Sequence, residues 1–315
     1  MPAPRESAML ARAARMYYLE NRPQSDIARE LGVSRSNVSR ILTAAREAGI
    51  VEIRIHEPAV RGHELEKALQ AKFGLKACLV AVDGVHRTPL DAVGSVGAAW
   101  LADHLGDSRR VALSWGRSVQ SLVTNFQGGA PHPDLEILPL VGGFSAVDVS
   151  QNPNAVVRGL SAKLGAHYRP LLAPAVVRSA QARDALLGEP AISQVLDDAR
   201  KADIAIIGIG SVHHGSTAAI VEAMEFTPAE AESFENSPVV GDACTRFFDE
   251  EGRLVSSPAD GRVIGIDLEA LKSIPTVVAV VESAQKVRAV HGALRGGLVD
   301  VLVVDAELGE GLLES

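Results

Sequence analysis

Between residues 24 and 46 the apolar positions fall into two short helical stripes separated by a turn. Ile27 and Ala28 share the inner face of the first stripe, and Ala28 is small enough for a second helix to cross closely. Gly32 stands where the turn needs a residue tolerant of positive φ. Ser34 is placed to cap the second helix by accepting its free N–H groups. Val38, Ile41, Leu42 and Ala45 then repeat at i, i+3, i+4 and i+7, an inward-packing stripe. The opposite face carries Ser36, Arg40 and Thr43, flanked by Asn37 and Ser39. Short donors and acceptors of this kind suit base edges in a major groove, and Arg40 can reach a guanine or a phosphate. With Gln24, Ser25 and Arg35 at the helix starts, these residues are the expected contacts to double-stranded operator DNA.

Ahead of this motif, Leu10, Ala13, Ala14 and Tyr17 mark an amphipathic first helix, and Pro23 ends the link that follows it. Behind it, Gly49 stops the second stripe. Val51, Ile53 and Ile55 alternate with Glu52, Arg54 and His56, which predicts a strand like the start of a wing. Residues 1–57 are therefore expected to form a winged helix-turn-helix. Residues 60–73 are expected to form a connecting helix, with Leu65, Leu69 and Phe73 along one side.

From residue 77 the pattern changes. Apolar runs suited to buried parallel strands fall at 77–82, 110–113, 135–141, 171–177, 204–209, 263–266, 276–281 and 299–304. Helical periodicity lies between many of them, at 90–105, 119–126, 154–164 and 286–294. This alternation predicts an α/β domain over residues 58–315, a doubly wound and mostly parallel sheet. Its ligands are then expected beyond the carboxyl ends of the strands.

Several of those strand ends break into glycine-rich or polar turns. SWGRS supplies Ser114, Trp115, Gly116, Arg117 and Ser118, and the stretch after residue 141 supplies Gly142, Gly143, Asp148, Asn152 and Asn154. GIGSVHHGS supplies Gly208 and Gly210, and Asp242 and Lys286 follow later. Glycine lets backbone approach a ligand, and free N–H groups at a following helix N-terminus favour an anion. Arg117 and Lys286 add positive charge, and the carboxylates and amides can receive hydroxyls. A small phosphorylated sugar or polyol fits that chemistry.

Three enzymatic patterns are incomplete. Gly208 and Gly210 open like a dinucleotide fingerprint, but His213 holds the third glycine position. Ser114 sits in an approximate nucleophile elbow with Ala112 replacing the first glycine, and nothing ties His291 to it. His213 and His214 are adjacent, so their side chains diverge, and no third ligand is spaced to join them on a metal.

Composition sharpens the division. The 315-residue chain is 47% hydrophobic and carries a net charge of −8. Residues 1–57 hold nine arginines against seven acids, leaving the remainder at −10. Nucleic-acid affinity is thus expected only from the N-terminal part. Cys78 and Cys244 form no C-x-x-C pair, so neither a disulfide scaffold nor a cysteine-rich zinc site is expected, and a reducing cytosol suits the chain. No apolar run approaches the ~18 residues that span a bilayer.

Two sets of residues together resemble a known family. The first is YYLENRPQSDIARELGVSRSNVSRILTAAREAGIVEIRI. The second is SWGRS, PLVGGF, LLAPAVV, GIGS, GDACTRFFDEEG and KVRAVHGALRGGLVDVLVVD in that order. Over nearly its whole length the chain resembles the SorC family of bacterial sugar-sensing transcriptional regulators. The resemblance implies an effector domain similar to sugar-phosphate isomerases of the ribose-5-phosphate isomerase and glucosamine-6-phosphate deaminase type. It also implies dimers or tetramers and control of a carbohydrate or polyol operon, without a cofactor or catalysis. Carried over by position, it places an effector phosphate against Ser114, Gly116, Arg117 and Ser118, with Lys286 opposite and Asp242 and Arg246 at the border. For Arg246 a buried ion pair is the equal alternative. Where the family commonly has two glycines before the lysine, this chain has Ser283 and Ala284. The rival function is a sugar-phosphate isomerase or deaminase fused to a DNA-binding unit, with Asp242 or Asp148 as base.

Overall fold

Helix α1 (Pro4–Ala14) runs into a π-helical turn at Arg15–Leu19, and α2 (Gln24–Leu31) and α3 (Arg35–Glu47) follow. The computed structural model describes residues 4–51, 60–82, 88–144, 152–212, 216–257 and 260–315. The chain divides into two compact units, Met1–Pro58 and Ala59–Ser315. In the first, Leu10, Ala13, Ile27, Val38, Leu42 and Ala45 meet in one small core. Gly32 closes α2 at φ +67°, a conformation in which a Cβ would be strained. Ser34 caps α3 by accepting from the Asn37 N–H at 3.2 Å. Of the expected wing strand, Val51 packs beside this core outside any strand. Ile53, Ile55 and Pro58 lie outside the described residues.

The second unit opens with β1 (Val60–Arg61), α4 (His63–Phe73) and β2 (Ala77–Val82), and β1 pairs antiparallel with β2. There follow α5 (Pro89–His104), β3 (Arg110–Leu113), α6 (Arg117–Asn125), β4 (Glu136–Pro139), α7 (Pro153–Leu164) and β5 (His167–Tyr168). Next come α8 (Ala180–Leu187), α9 (Pro190–Ala199), β6 (Ile204–Ile207), β7 (Gly210–Ser211), α10 (Ser216–Ala223) and α11 (Pro228–Glu235). The chain ends through β8 (Gly241–Ala243), β9 (Arg246–Phe248), α12 (Leu268–Lys272), β10 (Thr276–Val281), α13 (Val287–Arg295), β11 (Val301–Asp305) and α14 (Ala306–Glu314).

Among the described residues eight strands form one sheet in the order β1-β2-β11-β10-β6-β3-β4-β5, parallel except for β1. Both faces are covered, which is why the strands read as unbroken apolar runs. Alternate residues serve opposite layers. Ile204 and Ile206 pack with α5, α6 and α7, while Ala205 and Ile207 pack with α9, α13 and α14. The order reverses between β3 and β6: β3 leads through α6 to β4 on one side, and β6 leads on to β10 on the other. Loops diverging at such a point leave a crevice above the carboxyl ends of the strands.

Three expectations are corrected. The helix expected over 60–73 begins at His63, because Val60 and Arg61 are held in the sheet. It is no free connector: Leu69 is fully buried and Leu65 packs on the same core. Among the described residues the runs at 171–177 and 263–266 make only isolated bridges, Gly143 to Pro174, Val176 to Val263 and Val141 to Gly265. Pro174 lacks the N–H that a ladder position requires. Finally, β7, β8 and β9 form a separate antiparallel sheet that the sequence pattern did not reveal.

Candidate functional site

The first unit offers a helix face. Arg35, Ser36, Asn37, Ser39, Arg40 and Thr43 are exposed on α3, while Val38, Ile41, Leu42 and Ala45 are buried behind them. Ser25 is exposed and Gln24 half-buried at the start of α2. Ser34 and Ser36 share a 2.9 Å hydrogen bond, and Thr43 accepts from Arg46 at 3.3 Å. Among the described residues Arg35 and Arg40 enter no ion pair. Other arginines of the unit are neutralised: Arg22 and Arg12 both hold Glu30, at 2.6 and 2.9 Å. Two cations that no carboxylate neutralises thus lie on the polar face of α3, where phosphates or guanines would use them.

The second unit carries a cleft at the topological switch point. Ser114, Trp115, Gly116, Arg117 and Ser118 line one side after β3, with Gly208, Ile209 and Gly210 after β6. Asp242, Cys244, Ser283, Gln285, Lys286 and Thr217 complete it. The cleft is open to solvent at its mouth. Ser114 ties the two loops together, its buried Oγ accepting from the Gly208 N–H at 3.2 Å. Gly116, at φ +114°, turns the chain into α6. That helix has no side-chain cap and no acid in its first turn. Its first N–H groups therefore lack a side-chain partner, at the positive end of the helix dipole.

Lys286 and Arg117 add formal charge beside that helix end. Burial pulls the Lys286 ammonium below its usual range, Glu282 opposes this, and Arg117 reinforces it. Arg117 itself is half exposed and lies 3.7 Å from Glu282. Across the cleft Asp242 is buried, accepting from Thr217 Oγ1 at 2.7 Å and from the Thr245 N–H at 3.2 Å. Burial pushes its carboxyl above the usual range, and its hydrogen bonds and Lys286 restrain the shift. The site therefore combines cations and free helix N–H groups, which suit an anion, with a buried carboxyl that can accept from a hydroxyl. Among the described residues, no histidine and no carboxylate other than Asp242 lines it.

Two strained turns shape the cleft. Cys244 and Thr245, at φ +52° and +68°, make the two-residue hairpin between β8 and β9, where asparagine and glycine are the usual occupants. Among the described residues Thr245 Oγ1 is buried without a partner. Ser283 adopts φ +98° and ψ +124°, a region otherwise open essentially to glycine. Glycine would adopt this conformation freely.

Other expected residues stand elsewhere. Gly142 and Gly143 do not line the cleft; a Cβ on Gly142 would lie 2.5 Å from the Pro174 carbonyl oxygen, and one on Gly143 would lie 2.9 Å from the Asn152 side chain. Asn152 caps α7 and Asn154 clamps the Leu171 backbone through two hydrogen bonds of 3.0 and 2.9 Å. Arg246 points away from the cleft lining, donating to the carbonyls of Ile266 and Asp260 at 3.2 and 3.1 Å. Its guanidinium also lies 4.0 Å from a carboxylate oxygen of Asp260. Asp148, His213 and His214 lie outside the described residues. His291 stacks edge-on against Phe73 and not near Ser114. Thr217, Cys244 and Gln285 were not expected; no local pattern marks them, since chain reversals far from β3 deliver them.

The sugar-binding domain family matches residues 57–314, and the region 4 family of sigma-70 factors matches residues 12–48. The chain is 30% identical over 311 residues to the sorbitol operon regulator of Klebsiella pneumoniae, covering 97% of this chain and 98% of that protein. It is 29% identical to the deoxyribonucleoside regulator of Bacillus subtilis, covering 96% of each. The crystal structure of the full-length Klebsiella regulator superposes with a TM-score of 0.74 at 28% identity, over 98% of this chain and 99% of that one. These relatives are named as regulators and not as enzymes. A helix-turn-helix followed by a sugar-binding domain, matched from end to end by such proteins, identifies the chain as a member of the SorC family of bacterial transcriptional regulators.

Proposed function

We propose that this chain is a DNA-binding regulator of a carbohydrate or polyol catabolic operon, and that a small phosphorylated sugar in the cleft sets its operator affinity. The observation that carries the effector assignment is the convergence of the uncapped α6 N-terminus, Arg117 and Lys286 on one end of the cleft. Phosphate adds negative charge beside Lys286 and Arg117 to that of Glu282, and so offsets more of the desolvation of Lys286. Asp242, buried in the same cleft, suits a sugar hydroxyl. The relatives support the reading, since their names refer to sorbitol, deoxyribonucleosides and erythritol.

The protein functions in this reading as a dimer or tetramer in the cytoplasm. Among the described residues no helix is long and apolar enough to cross a membrane. A thermal-shift screen of the full chain against sugar phosphates and their unphosphorylated counterparts tests the effector class. A ligand at a hundred times its Kd stabilises by about 2.7 kcal/mol, a readily visible shift. Shifts with free sugars or polyols alone would reject the phosphate assignment. Steady turnover of pentose or hexose phosphates would establish the isomerase-like alternative instead.

A further inference from the structure

Asp305 ends β11 and is buried. Its two carboxylate oxygens serve two different elements. Oδ2 accepts from the Ser283 N–H at 2.7 Å, holding the cleft loop at its strained residue. Oδ1 accepts from the Leu308 N–H at 2.8 Å and caps α14. One rigid, inaccessible group thus joins the loop that carries Lys286 to a helix outside the cleft.

That helix is clasped at several points. A Cβ on Gly311 would lie 2.6 Å from Val287, the residue after Lys286, so α14 follows the loop closely. A Cβ on Gly309 would lie 3.0 Å from Leu65 of α4. Lys72 of α4 donates to the carbonyls of Leu312, Leu313 and Ser315 at 3.0, 3.0 and 2.8 Å. In turn Glu66 of α4 holds Arg61 through bonds of 2.7 and 2.8 Å and accepts from the Val80 N–H at 3.0 Å. Arg61 lies in β1, directly after the segment that leads from the DNA-reading unit.

Resting on the anion reading of the cleft, we propose that Asp305 is the positioning residue that passes occupancy of the Ser283–Lys286 loop to α14 and α4, and so to the start of the effector unit. The loop sits in a costly conformation that the Asp305 bond ties to β11, beside two local bonds to Ser283 from the Gln285 and Lys286 N–H groups at 3.4 and 3.0 Å, so an anion that draws Lys286 inward changes the load on the Asp305 bond. Because α14 is locked by glycine contacts to both α13 and α4, it moves as a body rather than deforming.

The test is hydrogen exchange on the full chain, without and with saturating inorganic phosphate, ribose 5-phosphate or glucose 6-phosphate. In the wild type at least one probe should slow exchange at 283–287, 306–314 and 63–73 together. Asp305→Asn and Asp305→Ser both keep a helix cap but cannot hold the Ser283 N–H in the same way. In these variants protection at 283–287 should persist, and protection at 306–314 and 63–73 should be lost. Transmission equal to wild type in both variants, or wild-type protection confined to 283–287, overturns the role of Asp305. Absence of protection at 283–287 with every probe rejects the anion reading itself, and this proposal with it.

Discussion

Thr217 donates a 2.7 Å hydrogen bond to Asp242, and the pair fits only because residue 210 has no side chain. A Cβ there would overlap both Thr217 Oγ1 and Asp242 Oδ1. Gly210→Ala should therefore push β7 off β8 and cost about 1–3 kcal/mol of overpacking. Chemical denaturation measures the loss. Unchanged stability would mean that the hairpin relaxes freely around the pair.

Asp242 also governs a pH response. Its folded-state carboxyl is raised by burial, so the folded protein favours the protonated form. The cost of charging it is absent below the ordinary carboxylate range, near about pH 4, and grows as pH rises through the folded value. Asp242→Asn should raise the Tm of the ligand-free protein at neutral pH, with the gain shrinking toward acid. Melting curves from about pH 4 to about pH 8 give the comparison. A gain independent of pH would assign the effect to packing.

Ser283 stores strain that glycine would release. Ser283→Gly should stabilise by about 1 kcal/mol after the entropy cost of glycine is deducted. Lower stability would show that the 3.4 Å bond from the Gln285 N–H to Ser283 Oγ outweighs the strain.

On the DNA side, Arg40→Ala should cost about 1–3 kcal/mol at the operator if Arg40 reads a base. Binding to a site selected from random duplexes, compared with bulk DNA, decides this. Equal losses on both would make Arg40 a phosphate contact.

One recognition helix reads few base pairs, so binding at useful specificity should need two copies on a roughly palindromic site. Half-sites are expected one helical turn, about 10 bp, or a multiple apart. Sedimentation of the protein–DNA complex tests it, and a monomer bound at full affinity would end the idea.

Periodicity alone determined the helix-turn-helix and the parallel sheet, because both are specified by local spacing. Gly32 and Ser34 announce the turn between α2 and α3 within three residues of each other, and the strands buried on both faces cannot avoid continuous apolar runs. The cleft was legible where glycine or charge sits directly at a strand end, as at Gly116, Arg117 and Gly208. At Gly142 and Gly143 the same signal marks packing, since a glycine admitting a neighbouring backbone or side chain looks like one admitting a ligand. Only the tertiary structure decided the rest. Thr217 reaches Asp242, and Asp305 reaches Ser283, across 25 and 22 residues of chain. No spacing rule encodes those partnerships. They exist because a reversal of strand order and a small second sheet bring distant turns to one edge, where burial makes each unmet polar group expensive.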